Sequence, residues 1–337
     1  MKVEDIRKEE YVKEYLRLHD SDVRKVLQRR SAFVGVACPA CKGAEGRARF
    51  EKSGFHFLEC ASCATLYVSP RPTPDVLEEF YTHAECFTLY NEKIFPASEA
   101  VRRRLIFAPR AARVAELWRR HAVGAPDVLL DVGAGFGTFC EEVRALGLFA
   151  RVVAVEPSPG LAETCRRKGI EVVQSRVETA PPQSAGVITC FELIEHLFAP
   201  DEFLSSCARL LRPGGLLVLT TPNIRGFDLE ILGPASENID APEHLNYFHP
   251  ASLSRLLERC GFRVDEVLTP GKLDAELVRL KALSGEVDLA GQPFLKRVLI
   301  DDWERAGGPF QEFLASACYS SHLWVVARKA ADSGEGR

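Results

Sequence analysis

Leu129-Leu130-Asp131-Val132-Gly133-Ala134-Gly135-Phe136-Gly137 is the stretch that decides the fold of this 337-residue chain. Val128–Val132 reads as a buried strand, the glycines at alternate positions form a loop, and a helical pattern starts at Thr138. Glycine permits positive φ and lets a ligand approach the backbone closely. Outward from this loop the chain alternates. Strand patterns at 152–155, 171–173, 187–190 and 216–220 are separated by helical patterns at 138–146, 159–168 and 200–211. A helix at 251–260 and strands at 262–268 and 323–327 follow. Such alternation predicts an α/β fold with a parallel sheet and helices on both faces.

The second strand ends at Glu156, in Val153-Ala154-Val155-Glu156-Pro157. An acidic residue there takes the ribose hydroxyls of an adenosine-type ligand. A dinucleotide fingerprint asks for G-x-G-x-x-G/A, and its sixth position here is Thr138. The glycines run G-x-G-x-G instead. Asp131 stands just before the first glycine, where a diphosphate has no use for a carboxylate. A sulfonium cofactor with an ammonium group tolerates one, which tilts the choice to S-adenosylmethionine.

With these residues the chain resembles the class I S-adenosylmethionine-dependent methyltransferases, over about residues 75–330. Leu130–Gly137 is similar to the family's first motif and Val155-Glu156-Pro157 to its ribose-binding motif. Cys190-Phe191-Glu192-Leu193-Ile194-Glu195-His196 resembles the segment after the fourth strand. Leu210-Leu211-Arg212-Pro213-Gly214-Gly215, with Leu216–Thr220 and Pro222-Asn223, resembles the turn into the fifth. Glu243-His244-Leu245-Asn246-Tyr247-Phe248-His249-Pro250 and Ser320–Lys329 match a subgroup in which a cysteine-rich segment precedes the methyltransferase domain.

The resemblance implies a Rossmann-like seven-stranded sheet, mostly parallel with the last strand antiparallel, plus a small N-terminal zinc-ribbon-like module. It implies Asp131, Gly133 and Gly135 on the methionine side of the cofactor and Glu156 at the ribose. Val177 and Glu178, in the loop Ser175-Arg176-Val177-Glu178, would flank the adenine. Ala134, Gly137, Pro157, Cys190 and Phe191 complete the cofactor set. The chain departs from the family at Arg176, where many members carry an acidic residue, and at Gly186, where many carry an aspartate.

Cys38-Pro39-Ala40-Cys41 and Cys60-Ala61-Ser62-Cys63 are separated by 18 residues, a close match to a C-x2-C…C-x2-C zinc pattern. Two residues between cysteines let both thiolates face one ion. Lys42-Gly43 and Ala64 suit the tight turn that follows each pair. Arg47–Glu51 and Phe55–Leu58 flank Lys52-Ser53-Gly54, a hairpin pattern. With all four positions held by cysteine, the zinc reads as structural.

Glu192, Glu195 and His196 have i, i+3, i+4 spacing, which puts them on one face of a helical turn. His244 and His249 follow downstream. The pattern resembles the metal-assisted branch of the family, which implies Mg²⁺ or Mn²⁺ at Glu192, Glu195, His196 and His244. Catalysis by His196 or His244 as a metal-free base, and a purely structural role, stay open beside it.

The composition bounds the remainder. The net charge of −4, from 43 basic and 47 acidic residues, gives no pull toward nucleic acid. No run of 18 apolar residues occurs, so no membrane span is expected. The N-terminus has no secretory pattern and the 11 cysteines are odd in number, so a reducing, cytoplasmic setting is expected. Most of the seven scattered cysteines read as small core residues.

The expected organisation is an N-terminal helix (1–30), the zinc module (31–68), a proline-rich extended linker (69–74) and a helical lid (75–122). The methyltransferase core with a C-terminal helical insertion (123–330) and a frayed tail (331–337) follow. A helix over 97–121 is expected to be interrupted near Pro109. Phe80, Tyr81, Phe87 and Tyr90 read as core packing or a cofactor lid. Arg102-Arg103-Arg104 and Arg166-Arg167-Lys168 read as solvated faces or contacts to a nucleotide-sugar diphosphate. The helices around Phe294–Phe313 read as an acceptor pocket or a homodimer contact.

The expected activity is methyl transfer to a hydroxyl, or carbon, of a small molecule. A sugar or glycan intermediate is the acceptor class by resemblance. An RNA or protein acceptor held by the zinc module, and a non-catalytic cofactor-binding scaffold, are the rivals.

Overall fold

The computed structural model describes residues 9–121 and 128–330. The expected tail at 331–337 and the first turns of the N-terminal helix, with Ile6, lie outside the described residues. Among the described residues eleven strands form two sheets. They are β1 (Gly46–Lys52), β2 (Phe55–Cys60), β3 (Leu66–Val68), β4 (Val128–Val132), β5 (Arg151–Val155), β6 (Glu171–Val173), β7 (Ala185–Phe191), β8 (Leu211–Pro222), β9 (Asn246–Tyr247), β10 (Phe262–Leu268) and β11 (His322–Lys329).

Seven of them form one sheet in the order β10-β11-β8-β7-β4-β5-β6, mostly parallel with the last strand antiparallel, as expected. Each residue of β4 is buried, as a strand covered on both faces requires. β4 pairs in parallel with β5 (Asp131 opposite Ala154) and with β7 (Asp131 opposite Thr189). The loops after β4, β5 and β7 therefore leave the sheet side by side, at the edge where open α/β sheets bind ligands. β8 is longer than the sequence pattern suggested. It absorbs Arg212–Gly215, and its register against β7 jumps from Ala185↔Leu211 to Val187↔Leu216.

The chain divides into two compact units. The first comprises Met1–Ser98, Thr221–Leu253 and Leu268–Trp324, and the second Glu99–Thr220, Ser254–Val267 and Val325–Arg337.

In the first unit β1-β2-β3-β9 form an antiparallel sheet. The predicted hairpin is present. Lys52 faces Phe55 across a two-residue turn in which Ser53 and Gly54 both have positive φ (49° and 81°), the geometry that matches strand twist. The fourth strand comes from far along the chain, with Leu66 paired to Tyr247 and Tyr67 to Asn246. Phe57 stacks on Phe50 at 4.7 Å and meets Tyr247 at 5.8 Å.

The proline segment 69–74 does not stand free as a linker. Arg71 is 1% exposed, bridges to Val34 and donates to the carbonyl of Val68 and to Asn246 Oδ1. A buried guanidinium needs such acceptors. The helix Glu9–Leu27 turns His19, Asp22, Val23 and Val26 inward. Phe80, buried, and Tyr81, exposed, of the helix Pro74–His83 each lie 5.4 Å from the Phe87 ring.

In the second unit the helical run reaches His121 without a break at Pro109. Pro109 lies inside this continuous run, directly after a widened turn, and its missing N–H removes one bond of the ladder. The irregular turn is Arg103–Phe107, immediately ahead of Pro109, where the interruption was expected. Ala111, Val114, Ala115, Leu117 and Trp118 form the buried stripe of that helix. A Cβ at Gly186 would come within 3.0 Å of the Trp118 ring, so the indole occupies the space that many relatives' aspartate would need.

Candidate active site and candidate metal centre

The glycine loop after β4 is held from both sides. Gly133 N–H donates to the carbonyl of Val155 at 2.9 Å, and Gly137 N–H to that of Ala134 at 2.9 Å. Gly133, Gly135 and Gly137 all have positive φ, at 74°, 55° and 71°. The three differ in surroundings. A Cβ at Gly137 would meet Ile170 at 2.6 Å and Cys165 at 2.9 Å, so this glycine serves close packing. A Cβ at Gly135 would meet nothing within 4 Å, which leaves open space against an uncovered backbone.

Glu156 is 5% exposed, and its carboxylate ties the two strand ends together. Oε2 accepts the Gly135 N–H and Oε1 the Ser158 N–H, both at 2.9 Å. Burial raises its pKa, and those two N–H bonds oppose the rise. Asp131 is 3% exposed. Oδ1 accepts the Thr189 hydroxyl at 2.7 Å and Oδ2 the Cys140 thiol at 3.5 Å. Burial pushes Asp131 up to about 7, against the effect of those two bonds.

The loop at 175–178 ends in a short helical turn, Val177–Thr179, with Val177 buried and Glu178 exposed. Arg209 holds this turn through the carbonyls of Val177, Glu178 and Ala180. Ser175 Oγ is buried with no hydrogen-bond partner among the described residues.

β7 ends in Cys190, fully buried, and Phe191, half-buried, then turns sharply at Glu192, whose φ is 50°. Glu192 N–H donates to the carbonyl of Thr220 at 3.0 Å. Its carboxylate accepts Arg110 Nη2 at 3.2 Å and the Thr220 hydroxyl. The Arg110 guanidinium also lies 4.8 Å over the Phe191 ring. Burial lowers the pKa of Arg110, and the Glu192 charge counters that effect.

Leu193 follows, and its Cδ2 is 2.9 Å from where a Gly133 Cβ would be, so the turn 192–196 lies against the glycine loop. Ile194–His196 is a short 3-10 turn with Glu195 1% exposed and His196 half-buried. The single helical face expected for Glu192, Glu195 and His196 does not form. Glu192 precedes the turn in a left-handed conformation.

His244 lies in the first unit. Its Nδ1 is 2.8 Å from the Asn238 carbonyl, so Nδ1–H donates and Nε2 is the basic nitrogen. His249 is used structurally. Its Nε2 is 2.8 Å from the Cys63 carbonyl, and burial lowers its pKa.

The four cysteines of the two pairs converge. Cys38 Sγ is 3.5 Å from Cys63 Sγ, Cys41 Sγ is 3.5 Å from Cys60 Sγ, and all four lie within 4.8 Å of one another. Four bonds of about 2.3 Å to one ion would separate thiolates by about 3.8 Å, so the donor set fits tetrahedral zinc. The two pairs fold alike. Lys42 and Ala64, each following a second cysteine, have φ of 60° and 56°. Lys42 N–H donates to the Cys38 carbonyl and Ala64 N–H to that of Cys60, both at 2.9 Å.

Of the scattered cysteines, Cys86, Cys140, Cys165, Cys190 and Cys207 are buried, whereas Cys318 is exposed and not a core residue. Arg103 and Lys168 are bound to carboxylates, which sets them apart from solvated runs. Arg103 pairs with Glu99, Glu141 and Glu142, and Lys168 with Glu99 and Glu141. Arg110 and Arg209 carried no sequence signal, because each acts through a partner distant in the chain. No helix among the described residues is long and apolar enough to cross a membrane.

Comparison with known proteins agrees with this geometry. Residues 100–267 match the family described as a methyltransferase domain. The ubiquinone biosynthesis O-methyltransferase of Xanthomonas oryzae is 32% identical over 154 residues, 41% of this chain and 64% of that protein. The enzyme of the same name from Xylella fastidiosa is 29% identical over 154 residues, 41% of this chain and 62% of that protein. The chain thus spans less than two thirds of the length of these relatives. Among solved structures, a SAM-dependent methyltransferase from Archaeoglobus fulgidus is 21% identical with a TM-score of 0.44, covering 71% of this chain and 100% of that one. The match to a methyltransferase domain over residues 100–267 takes in the glycine loop, Glu156 and the turn at 192–196.

Proposed function

We propose that the protein transfers a methyl group from S-adenosylmethionine to a hydroxyl of a small molecule. The observation that carries this is the packing of the turn 192–196 against the glycine loop, through Leu193 and Gly133. His196 lies in that turn, and this packing supports its proposed role beside the residues proposed for the cofactor. The named activity of the Xanthomonas relative, an O-methyltransferase, favours oxygen over carbon. A sugar or glycan-type hydroxyl is the acceptor class carried over from the sequence resemblance.

When bound, the cofactor supplies an electrophilic methyl on a sulfonium. Glu156 would hold the ribose hydroxyls, with its carboxylate already oriented by the Gly135 and Ser158 N–H groups. Asp131, Gly133 and Gly135 would face the methionine end, and Ala134, Gly137 and Pro157 would shape the same loops. Val177 and Glu178 would flank the adenine and Phe191 would stand beside the cofactor, whereas Cys190, fully buried, would back the site without touching it. His196 takes the acceptor proton as the oxygen attacks. His244, the other histidine expected as a base, belongs to the first unit. Alignment of acceptor oxygen, methyl and sulfur would supply much of the rate.

Glu192 is engaged by Arg110 and Thr220, which favours a base without Mg²⁺ or Mn²⁺ over the four-ligand metal reading that included Glu192, Glu195, His196 and His244. A structural zinc ion on Cys38, Cys41, Cys60 and Cys63 would fold the first sheet.

The test is to incubate the full chain with the cofactor and a panel of phenolic and sugar hydroxyl acceptors, and to follow S-adenosylhomocysteine. Turnover should fall by about 10²–10⁴ in His196→Ala, the usual contribution of a general base, with cofactor affinity retained. Cofactor binding with no turnover on any acceptor refutes the transferase reading. Activity that disappears with a chelator and returns with Mg²⁺ restores the metal reading.

A further inference from the structure

We propose that His19, Asp240 and Glu243 form a second metal site, for a divalent cation of the zinc class, distinct from the four thiols. His19 lies on the helix Glu9–Leu27, and the two carboxylates lie at i and i+3 in the segment ahead of β9. All three belong to the first unit. His19 Nε2 is 3.4 Å from Asp240 Oδ2 and 3.4 Å from Glu243 Oε1. The three donor atoms lie within 4.8 Å of one another. Two metal bonds of about 2.1 Å at a tetrahedral angle place their donors about 3.4 Å apart. The spacing matches, although no direct hydrogen bond forms.

The second observation is His19 itself. It is 6% exposed, and its Nε2 is buried with no hydrogen-bond partner among the described residues. That nitrogen points at the two carboxylates. A divalent ion placed between all three donors would add positive charge where the two shielded carboxylates lie side by side.

Neighbouring groups hold the donors in place, as metal sites require. The Tyr15 hydroxyl donates to Glu243 Oε1 at 3.0 Å, and its ring stacks on His19 at 6.0 Å. Asp240 N–H donates to the Tyr247 hydroxyl oxygen at 3.0 Å, and its carbonyl accepts the His244 N–H at 2.6 Å. One imidazole with two carboxylates selects a borderline ion such as Zn²⁺ over Mg²⁺. Three protein donors leave a fourth position for water. The ion would pin the N-terminal helix to the segment that carries His244.

The experiment loads the full chain with zinc, removes loosely held metal by gel filtration, and counts zinc per chain by elemental analysis. The wild-type chain should hold about two ions, one of them on the thiols. Asp240→Asn and Glu243→Gln preserve shape and remove charge, and each should hold about one. Glu195→Gln should still hold two. A zinc-edge absorption spectrum of the wild-type chain, which needs no variant to fold, should show nitrogen and oxygen neighbours beside sulfur. One ion per wild-type chain, sulfur neighbours alone, or two ions retained in both shape-preserving variants would each overturn the assignment.

Discussion

At the residue scale, Asp131 shows how burial sets chemistry. Its carboxyl releases a proton near 3.8 in the unfolded chain and near 7 in the folded one. Between those values the folded state holds more protons. This residue's contribution therefore makes stability fall as pH rises from about 4 to about 7, and stay level above. Asp131→Asn removes that slope and can keep both bonds, accepting from Thr189 and donating to Cys140. We expect its melting temperature to exceed that of the wild type by a gap that widens from pH 5 to pH 8. Each kcal/mol recovered is worth roughly 2–4 °C. The same variant should bind S-adenosylmethionine about tenfold more weakly by calorimetry. Parallel melting curves across that range would refute the assignment. Asp131 and Glu156 were legible in the sequence because each sits at a fixed offset from a strand end. Arg110 was not. Its ion pair with Glu192 joins residues far apart in the chain, and an arginine on a helix carries no local sign of such a partner.

At the scale of elements, the two cysteine knuckles and the Ser53-Gly54 hairpin were legible because each is closed by residues a few positions apart. β9 was not, since a two-residue strand pairs with β3 only once the intervening chain has folded. The same return of the chain places His249 against the second knuckle. Burial keeps its imidazole neutral at pH 7, so Nε2–H donates to the Cys63 carbonyl. His249→Ala should leave that carbonyl without its partner and cost the first unit about 1–3 kcal/mol. Zinc should then pass to a chelator faster than from the wild type, while cofactor affinity is unchanged. Equal release rates would show that the bond does not support the knuckle.

For the molecule as a whole, a parallel sheet covered by helices could be anticipated from the alternation of strands and helices and its seven strands from the resemblance, but the division into units from neither. The first unit is assembled from three separate stretches of chain, and its C-terminal part is tied by one buried carboxylate. Asp274 accepts the hydroxyls of Ser320 and Ser321, the Ser321 N–H and Gln311 Nε2. Composition gives no sign of such a hub. The division also assigns the two proposed ligand sites to different units. The four thiols lie in the first unit, whereas Asp131, Gly135 and Glu156 lie in the second. Removing zinc should therefore unravel β1–β3 and leave the glycine loop intact. A chelator should abolish amide protection in residues 46–68, read by hydrogen exchange, because a segment of this size has little core without its ion. S-adenosylmethionine affinity, measured on the same stripped sample, should stay within about threefold of the zinc-loaded value, a change of under 1 kcal/mol. A loss of cofactor binding that tracks zinc loss would mean that the thiol centre supports the glycine loop directly, and the two sites would then have to be treated as one.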